Sequence, residues 1–193
     1  MLTQLATVKA RLGLSLFEVK DDALLTTALR GVSARFDREC ARILARTVDA
    51  MEEFNADARE IRPACYPVET IRKFELKGDE DEGWCEQSGV AYIIRAGCVV
   101  SLWAPLGTTN EQGRITYTGG YVLPGTTVGP GQTPLPDDLE QAAVEQIAFW
   151  YLNRDKVGIM RQWPKGGTYE QFADLDLLPN VRAILRRFQR CLA

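Results

Sequence analysis

Residues 147–152, Ile-Ala-Phe-Trp-Tyr-Leu, constrain the fold more than any other part of this chain, because they are apolar without a break at the end of a helical pattern. They follow "LPDDLEQAAVEQ", where Pro136 suits the start of a helix and Asp137, Asp138 and Glu140 complement the positive end of its dipole. The pattern predicts a helix from about residue 137 to between Asn153 and Lys156, ahead of Gly158. Successive helical side chains step by about 100°, so these six point all round the axis, and one packed neighbour cannot cover them. In a chain of 193 residues the second cover comes as readily from another copy as from the same subunit, which points to a building block of an assembly. Ile147 and Trp150 are expected inside the subunit, and Phe149 or Tyr151 in a contact between subunits.

Catalysis is the weaker reading. The chain has no histidine, which removes the commonest general base and every Ser-His or Cys-His pair. Its five cysteines, Cys40, Cys65, Cys85, Cys98 and Cys191, form no C-x-x-C pair, so zinc and iron-sulfur spacing is absent and reduced, mostly buried thiols are expected. No metal site or cofactor is expected. A magnesium-dependent nuclease built on Asp137, Asp138, Asp174 and Asp176 is the enzymatic alternative, but adjacent acids on a helix diverge and the helix start already explains the first two. A content of 46% hydrophobic and 25% charged residues suits a globular protein with a real core. No stretch approaches the roughly 20 apolar residues of a membrane span, and the start reads as an amphipathic segment of a cytoplasmic product rather than a signal peptide.

Thr3 is positioned to cap a short helix through Leu12 that Gly13 stops. A second helix opens near Asp21 and Asp22, with Leu25, Leu29, Val32, Phe36, Cys40 and Ile43 as its apolar stripe. Arg30, Arg35, Arg38, Arg42 and Arg46 lie off that stripe and are expected on a solvated face. From about Thr47 the period shifts toward two, with Val48, Ala50, Glu52 and Phe54 alternating, although Val48, Met51 and Glu52 also fit a continued helix. Residues 68–76, 91–94, 99–103 and 114–121 are the best strands. The acidic run at 77–83 reads as a solvated hairpin tip, lacking the alternating ligands of a calcium loop. The Gly/Pro connector at 124–136 is expected to form neither helix nor sheet, and neither it nor "PKGGT" at 164–168 has the spacing of a phosphate loop.

After Pro179 a last helix is expected, with Val181, Ile184, Leu185, Phe188 and Leu192 on one stripe. Arg182, Arg186 and Arg190 line a second stripe with Arg187 beside it, and the segment contains no acid. Docking on a partner and folding back on its own subunit both satisfy this pattern. The element order is α+β: N-terminal helices and a helix near 137–154, an inserted small antiparallel β region, and a C-terminal helix.

In "LATVKARLGL", "DDALLTTALRGVSARFDREC", "IRPACYPVETI", "ITYTGGY" and "LPDDLEQAAVEQIAFWYLNRD" the chain resembles the head-tail connector (adaptor) proteins of long-tailed double-stranded DNA phages, over roughly residues 5–155, with a looser echo in "LLPNVRAILRRFQR". The long connector and the tail beyond Gly158 depart from that pattern. The resemblance implies a connector domain over residues 1–158 with its β insertion at about 47–123, followed by an extension over 159–193. It implies a non-catalytic ring of twelve copies beneath the portal protein, continuing the DNA channel toward a stopper or tail-completion protein. The product would be made in the host cytoplasm and reside at the head-tail junction of the virion, with genomic DNA passing through without sequence-specific contacts and no membrane partner. Phe149, Tyr151, Arg182, Arg186, Arg187 and Arg190 are the expected interface residues. A sequence-independent DNA-binding module resting on the arginine stripes is the other alternative.

Overall fold

The computed structural model describes residues 1–79, 81, 83–156, 161–162, 170–171 and 176–190. It has an α+β fold with N-terminal helices, an inserted antiparallel β region and a C-terminal helix. Two compact units emerge, Met1–Phe36 with Pro136–Phe188, and Asp37–Leu135 with Gln189–Ala193.

The first unit is built on α1 (Leu5–Leu12), α2 (Asp22–Cys40) as far as Phe36, α3 (Asp137–Leu152) and α4 (Pro179–Leu185). Gly13, at φ 69°, stops α1 in the left-handed conformation expected of it. Thr3 does not cap α1; its hydroxyl donates to Glu140 Oε1 at 3.0 Å in the first turn of α3. Along α2 the stripe of Leu25, Leu29, Val32, Phe36 and Cys40 is buried as its spacing requires. Leu139, Ala142, Ala143, Ile147 and Gln146 are buried on α3, and Val181 and Leu185 are fully buried on α4, which packs against α3. The last helix therefore folds back on its own unit. It shortens to a 3-10 turn at Arg186–Phe188, so Arg190 does not continue its stripe, and Leu192 lies outside the described residues.

The expected extension of α2 to Ile43 does not occur. Ala41 turns the chain at φ 50°, Asp37 Oδ1 accepts the Leu44 amide at 3.0 Å, and Ile43 bridges to Cys65, leaving its side chain 43% exposed while Leu44 takes the core position. Arg42 consequently leaves the solvated face. It is buried, its guanidinium lies 3.2 Å from the Tyr66 ring centroid and 5.2 Å from that of Tyr121, and it donates to the Tyr66 carbonyl. Arg46 is half-buried and binds Glu69 through two nitrogens at 2.9 Å.

The second unit holds a four-stranded antiparallel sheet in the order β1-β7-β3-β4, where β1 is Thr47–Asn55, β3 Val68–Lys77, β4 Cys85–Gln87 and β7 Gln112–Gly119. A three-stranded sheet runs β2-β6-β5, with β2 Glu60–Ile61, β5 Tyr92–Arg95 and β6 Val99–Leu102. Ile61, Cys65, Val68, Phe74, Val100, Leu102, Ile115 and Tyr117 form the core between their faces. Ala50, Glu52 and Phe54 are drawn inward by the alternation of β1, but Val48 is 59% exposed because the register shifts between Thr47 and Ala50. β3 and β4 pair antiparallel on either side of the acidic run, with Leu76 opposite Cys85; residues 80 and 82 of the run lie outside the described residues. The connector was expected to avoid sheet, yet β9 (Thr133–Pro134) pairs in parallel with β8 (Tyr121–Val122) and buries Leu135. Proline is tolerated there because the ladder bond to the Val122 carbonyl comes from the Leu135 amide, at 3.0 Å, and needs no N–H at residue 134.

One buried charge in the sheet has a measurable consequence. Glu75 receives Arg114 Nε at 2.9 Å and Lys73 Nζ at 2.8 Å, and Arg114 lies 4.2 Å above the Trp84 ring. The Arg114 bond, outweighing burial and aided by Lys73, holds the Glu75 carboxyl below its ordinary range. A folded pKa below the unfolded one gives stability that is present above the unfolded value and lost as pH falls through the folded value. Acidification from about pH 6 to about pH 3 should thus lower the urea midpoint of the wild type more than that of Glu75→Gln, which starts from a lower midpoint at neutral pH.

Candidate functional site

Of the expected interface residues, the first unit places Phe149, Tyr151, Arg182, Arg186 and Arg187, and the second unit contains Arg190. Ile147 is fully buried, whereas Phe149, Trp150 and Tyr151 are half-buried and Leu152 is 67% exposed. The apolar end of α3 is thus covered from several sides within its own unit, with α1 and α4 packed on the helix, and Leu152 is left exposed. Trp150 and Tyr151 join Leu24, Leu25, Thr27, Ala28, Gly31 and Arg154 around an open apolar groove of about 450 Å³ between α2 and α3. The Tyr151 hydroxyl donates to Asp21 Oδ2, and that bond, with partial burial and the Asp21 charge, raises the phenol pKa. The Arg154 guanidinium sits 4.2 Å above the Tyr151 ring.

The arginines behave unequally. Arg182 binds Asp176, which also pairs with Arg35 at 3.0 Å. The Leu177 amide, with Arg182 and Arg35, holds the Asp176 carboxyl below its ordinary range. Arg190 binds Glu52 Oε1 at 2.6 Å and the Arg62 carbonyl. Arg186 and Arg187 are exposed. The acid that meets Arg182 lies six residues earlier, just ahead of α4, whereas the one that meets Arg190 comes from β1, a relation that no local spacing reveals.

Sequence reasoning missed a second surface. Between Gly13 and Asp21 the chain carries Leu16, Phe17 and Val19 at 60%, 94% and 73% exposure, three large apolar side chains in a link between helices. Their occurrence in so short a link was the available signal. In the second unit, Met51 on β1 is 67% exposed, Ile93 on β5 52% and Trp103 76%, and both strands are sheet edges. Exposed apolar side chains mark a contact surface where they gather in one patch, as the three of the link between α1 and α2 do in sequence.

For chemistry the site offers little. Among the described residues no three His, Cys, Asp or Glu side chains come together to hold a metal ion. Asp137 and Asp138 sit in the first turn of α3, Asp176 is spent on arginines, and Asp174 lies outside the described residues. Burial pushes the Cys40 thiol up to about 11 and also raises Cys65, making both poor nucleophiles. Cys85 is exposed, contrary to the expectation of mostly buried thiols, because β4 is an edge strand, and Cys191 lies outside the described residues.

The fold is similar to that of a chain in the neck of an empty gene transfer agent (GTA) particle computed with C6 symmetry, with a TM-score of 0.61 and 18% identity over 100% of this chain and 91% of that one. A chain in the virion of the native GTA particle is similar at a TM-score of 0.59 and 17% identity, again over 100% and 91%. No protein-family model and no curated protein matches the chain. At this identity the likeness is one of fold.

Proposed function

We propose that this chain is a structural virion protein whose copies form the head-tail connector (adaptor) ring beneath a portal protein. The observation that carries the reading is the agreement of the whole chain with a chain from a GTA neck, without a large unmatched region on either side. In this reading the ring has twelve copies, continues the DNA channel and offers its far side to a stopper or tail-completion protein. Neighbouring copies in a ring meet through unlike faces, each rotated by a fixed angle. The exposed Leu152 at the end of α3, the open groove beside Trp150 and the apolar residues on exposed links and edges are what such faces require. Phe149, Tyr151 and the exposed Arg186 and Arg187 contribute contacts, while Arg182 and Arg190 contribute mainly by fixing the segments that carry them. The wall passes DNA without reading bases, so no cofactor, metal or catalytic residue is needed.

Light scattering of the purified chain, alone and mixed with the portal protein of the same virus, tests this. A closed ring, formed alone or on the portal, is expected, and Phe149→Asp is expected to reduce it. A chain that stays monomeric and ignores the portal, or one that cleaves DNA when metal is added, would overturn the reading.

A further inference from the structure

The link between α1 and α2 is held in a fixed form that costs a buried charge. Lys9 is only 3% exposed, and its Nζ donates to the Glu18 carbonyl at 2.6 Å and the Leu16 carbonyl at 3.4 Å while pairing with Asp22 at 2.5 Å. The Phe17 amide donates to Ser15 Oγ at 3.3 Å and the Glu18 amide to the Ser15 carbonyl at 3.2 Å. With its carbonyls drawn inward to a buried ammonium, the link turns its side chains out, and Phe17 becomes 94% exposed. A buried lysine is expensive unless its hydrogen bonds are made, so this conformation is specified and not a frayed loop.

The same unit carries the apolar groove of Leu24, Leu25, Ala28, Gly31 and Trp150, which Phe17 of its own copy does not line. An apolar cavity of about 150 Å³ accepts benzene, so the groove's 450 Å³ has room for a phenyl ring and a flanking aliphatic side chain. Charge agrees with shape. Arg154 stands at the groove, and Glu18 stands exposed between Phe17 and Val19 on the link. Gly31, exposed on α2, keeps the groove floor low.

We infer that Phe17 of one copy inserts into the α2–α3 groove of a second copy, with Glu18 facing Arg154 at its rim. The inference rests on the reading that copies of this chain assemble, and it names which surfaces meet. A second copy is the occupant because one chain carries both halves of the contact, an apolar anchor followed by Glu18 and Lys20 and an apolar groove whose rim carries Arg154 beside the Asp21 that holds Tyr151, so that each rim charge meets an opposite one on the link. Each copy gives one anchor and receives one, which is the form of a repeating contact.

Two full-length variants separate the halves. Phe17→Asp changes a side chain that is almost wholly in solvent, and Gly31→Phe fills the groove from a helical position where an added Cβ meets only the Trp150 ring, at 3.8 Å. Both should melt like the wild type. Each alone should associate about thirtyfold more weakly or worse, the loss expected of a buried aromatic anchor. An equimolar mixture should recover a pair, because Gly31→Phe still offers Phe17 and Phe17→Asp still offers the groove. Light scattering reads all of these. Wild-type-like association of Phe17→Asp would overturn this contact while leaving the ring reading intact. Normal self-association of Gly31→Phe with loss of portal binding would assign the groove to the portal and also overturn it. A wild type that does not associate with itself or the portal would remove both readings.

Discussion

Leu185→Ala should destabilise the helical unit by about 2–5 kcal/mol, and a chain ending at Leu178 should lose that unit's cooperative unfolding altogether. Val181 and Leu185 are both fully buried against the rest of the unit, and burying each is worth roughly 1.5–3 kcal/mol. Truncation also removes the Arg182 partner of Asp176 and frees the strand of chain that Gln146 holds. Gln146 is completely buried, donating Nε2 to the Asp176 carbonyl at 3.1 Å and accepting the Leu178 amide at 2.8 Å. If that chain loosens, a buried amide loses both partners, at about 1–3 kcal/mol for each group left unsatisfied. Urea titration followed by far-ultraviolet circular dichroism measures the effect, with the exposed Arg186→Glu as a control expected to stay within about 0.5 kcal/mol of wild type. A truncated chain with an unchanged midpoint would mean that α4 is an appendage.

How far the sequence reaches depends on how local the deciding force is. The α2 stripe from Leu25 to Cys40, the Gly13 stop, the start of α3 after Pro136 and the alternation of Ala50, Glu52 and Phe54 all rest on neighbours in the chain, and the structure agrees with each. The errors lie where a distant group intervenes. Ile43 fits the helical period, but extended pairing with Cys65 and the turn at Ala41 outweigh one more helical step. Arg42 belongs by residue type on the surface, yet two aromatic rings and a carbonyl receive it inside. The Gly/Pro connector gains a strand because Tyr121 and Val122 present a free edge to it.

The candidate surfaces follow the same rule. That α3 needs more than one cover was legible at residues 147–152, whereas the groove beside it was not, since its other wall comes from α2 more than a hundred residues earlier. Leu16, Phe17 and Val19 were visible as apolar residues in a link. Their outward direction depends on Lys9 reaching across to the Leu16 and Glu18 carbonyls, a contact that no periodicity encodes.

Gly120→Ala should cost the β unit about 3–5 kcal/mol, and it tests how the chain turns from the central strand β7 into β8. Gly120 has φ 97°, beyond the left-handed region that an alanine tolerates, and its amide donates to the Pro67 carbonyl at 2.9 Å. An added Cβ would come within 2.7 Å of the Ala45 carbonyl oxygen and 2.9 Å of the Arg46 Cα. These are backbone atoms held by their own bonds, since the Tyr121 amide reaches the Leu44 carbonyl at 2.8 Å and the Arg46 amide reaches the Tyr121 carbonyl at 2.8 Å. Nothing there can yield like the end of a flexible side chain, so the clash and the backbone strain add. Gly89, at φ 72° with open space around its Cβ position, separates the two effects. Gly89→Ala should cost only the strain, about 1 kcal/mol. Equal losses in the two variants, read from urea midpoints, would show that the close approach at Gly120 contributes nothing and that this crossing of chains is not a rigid point of the β unit.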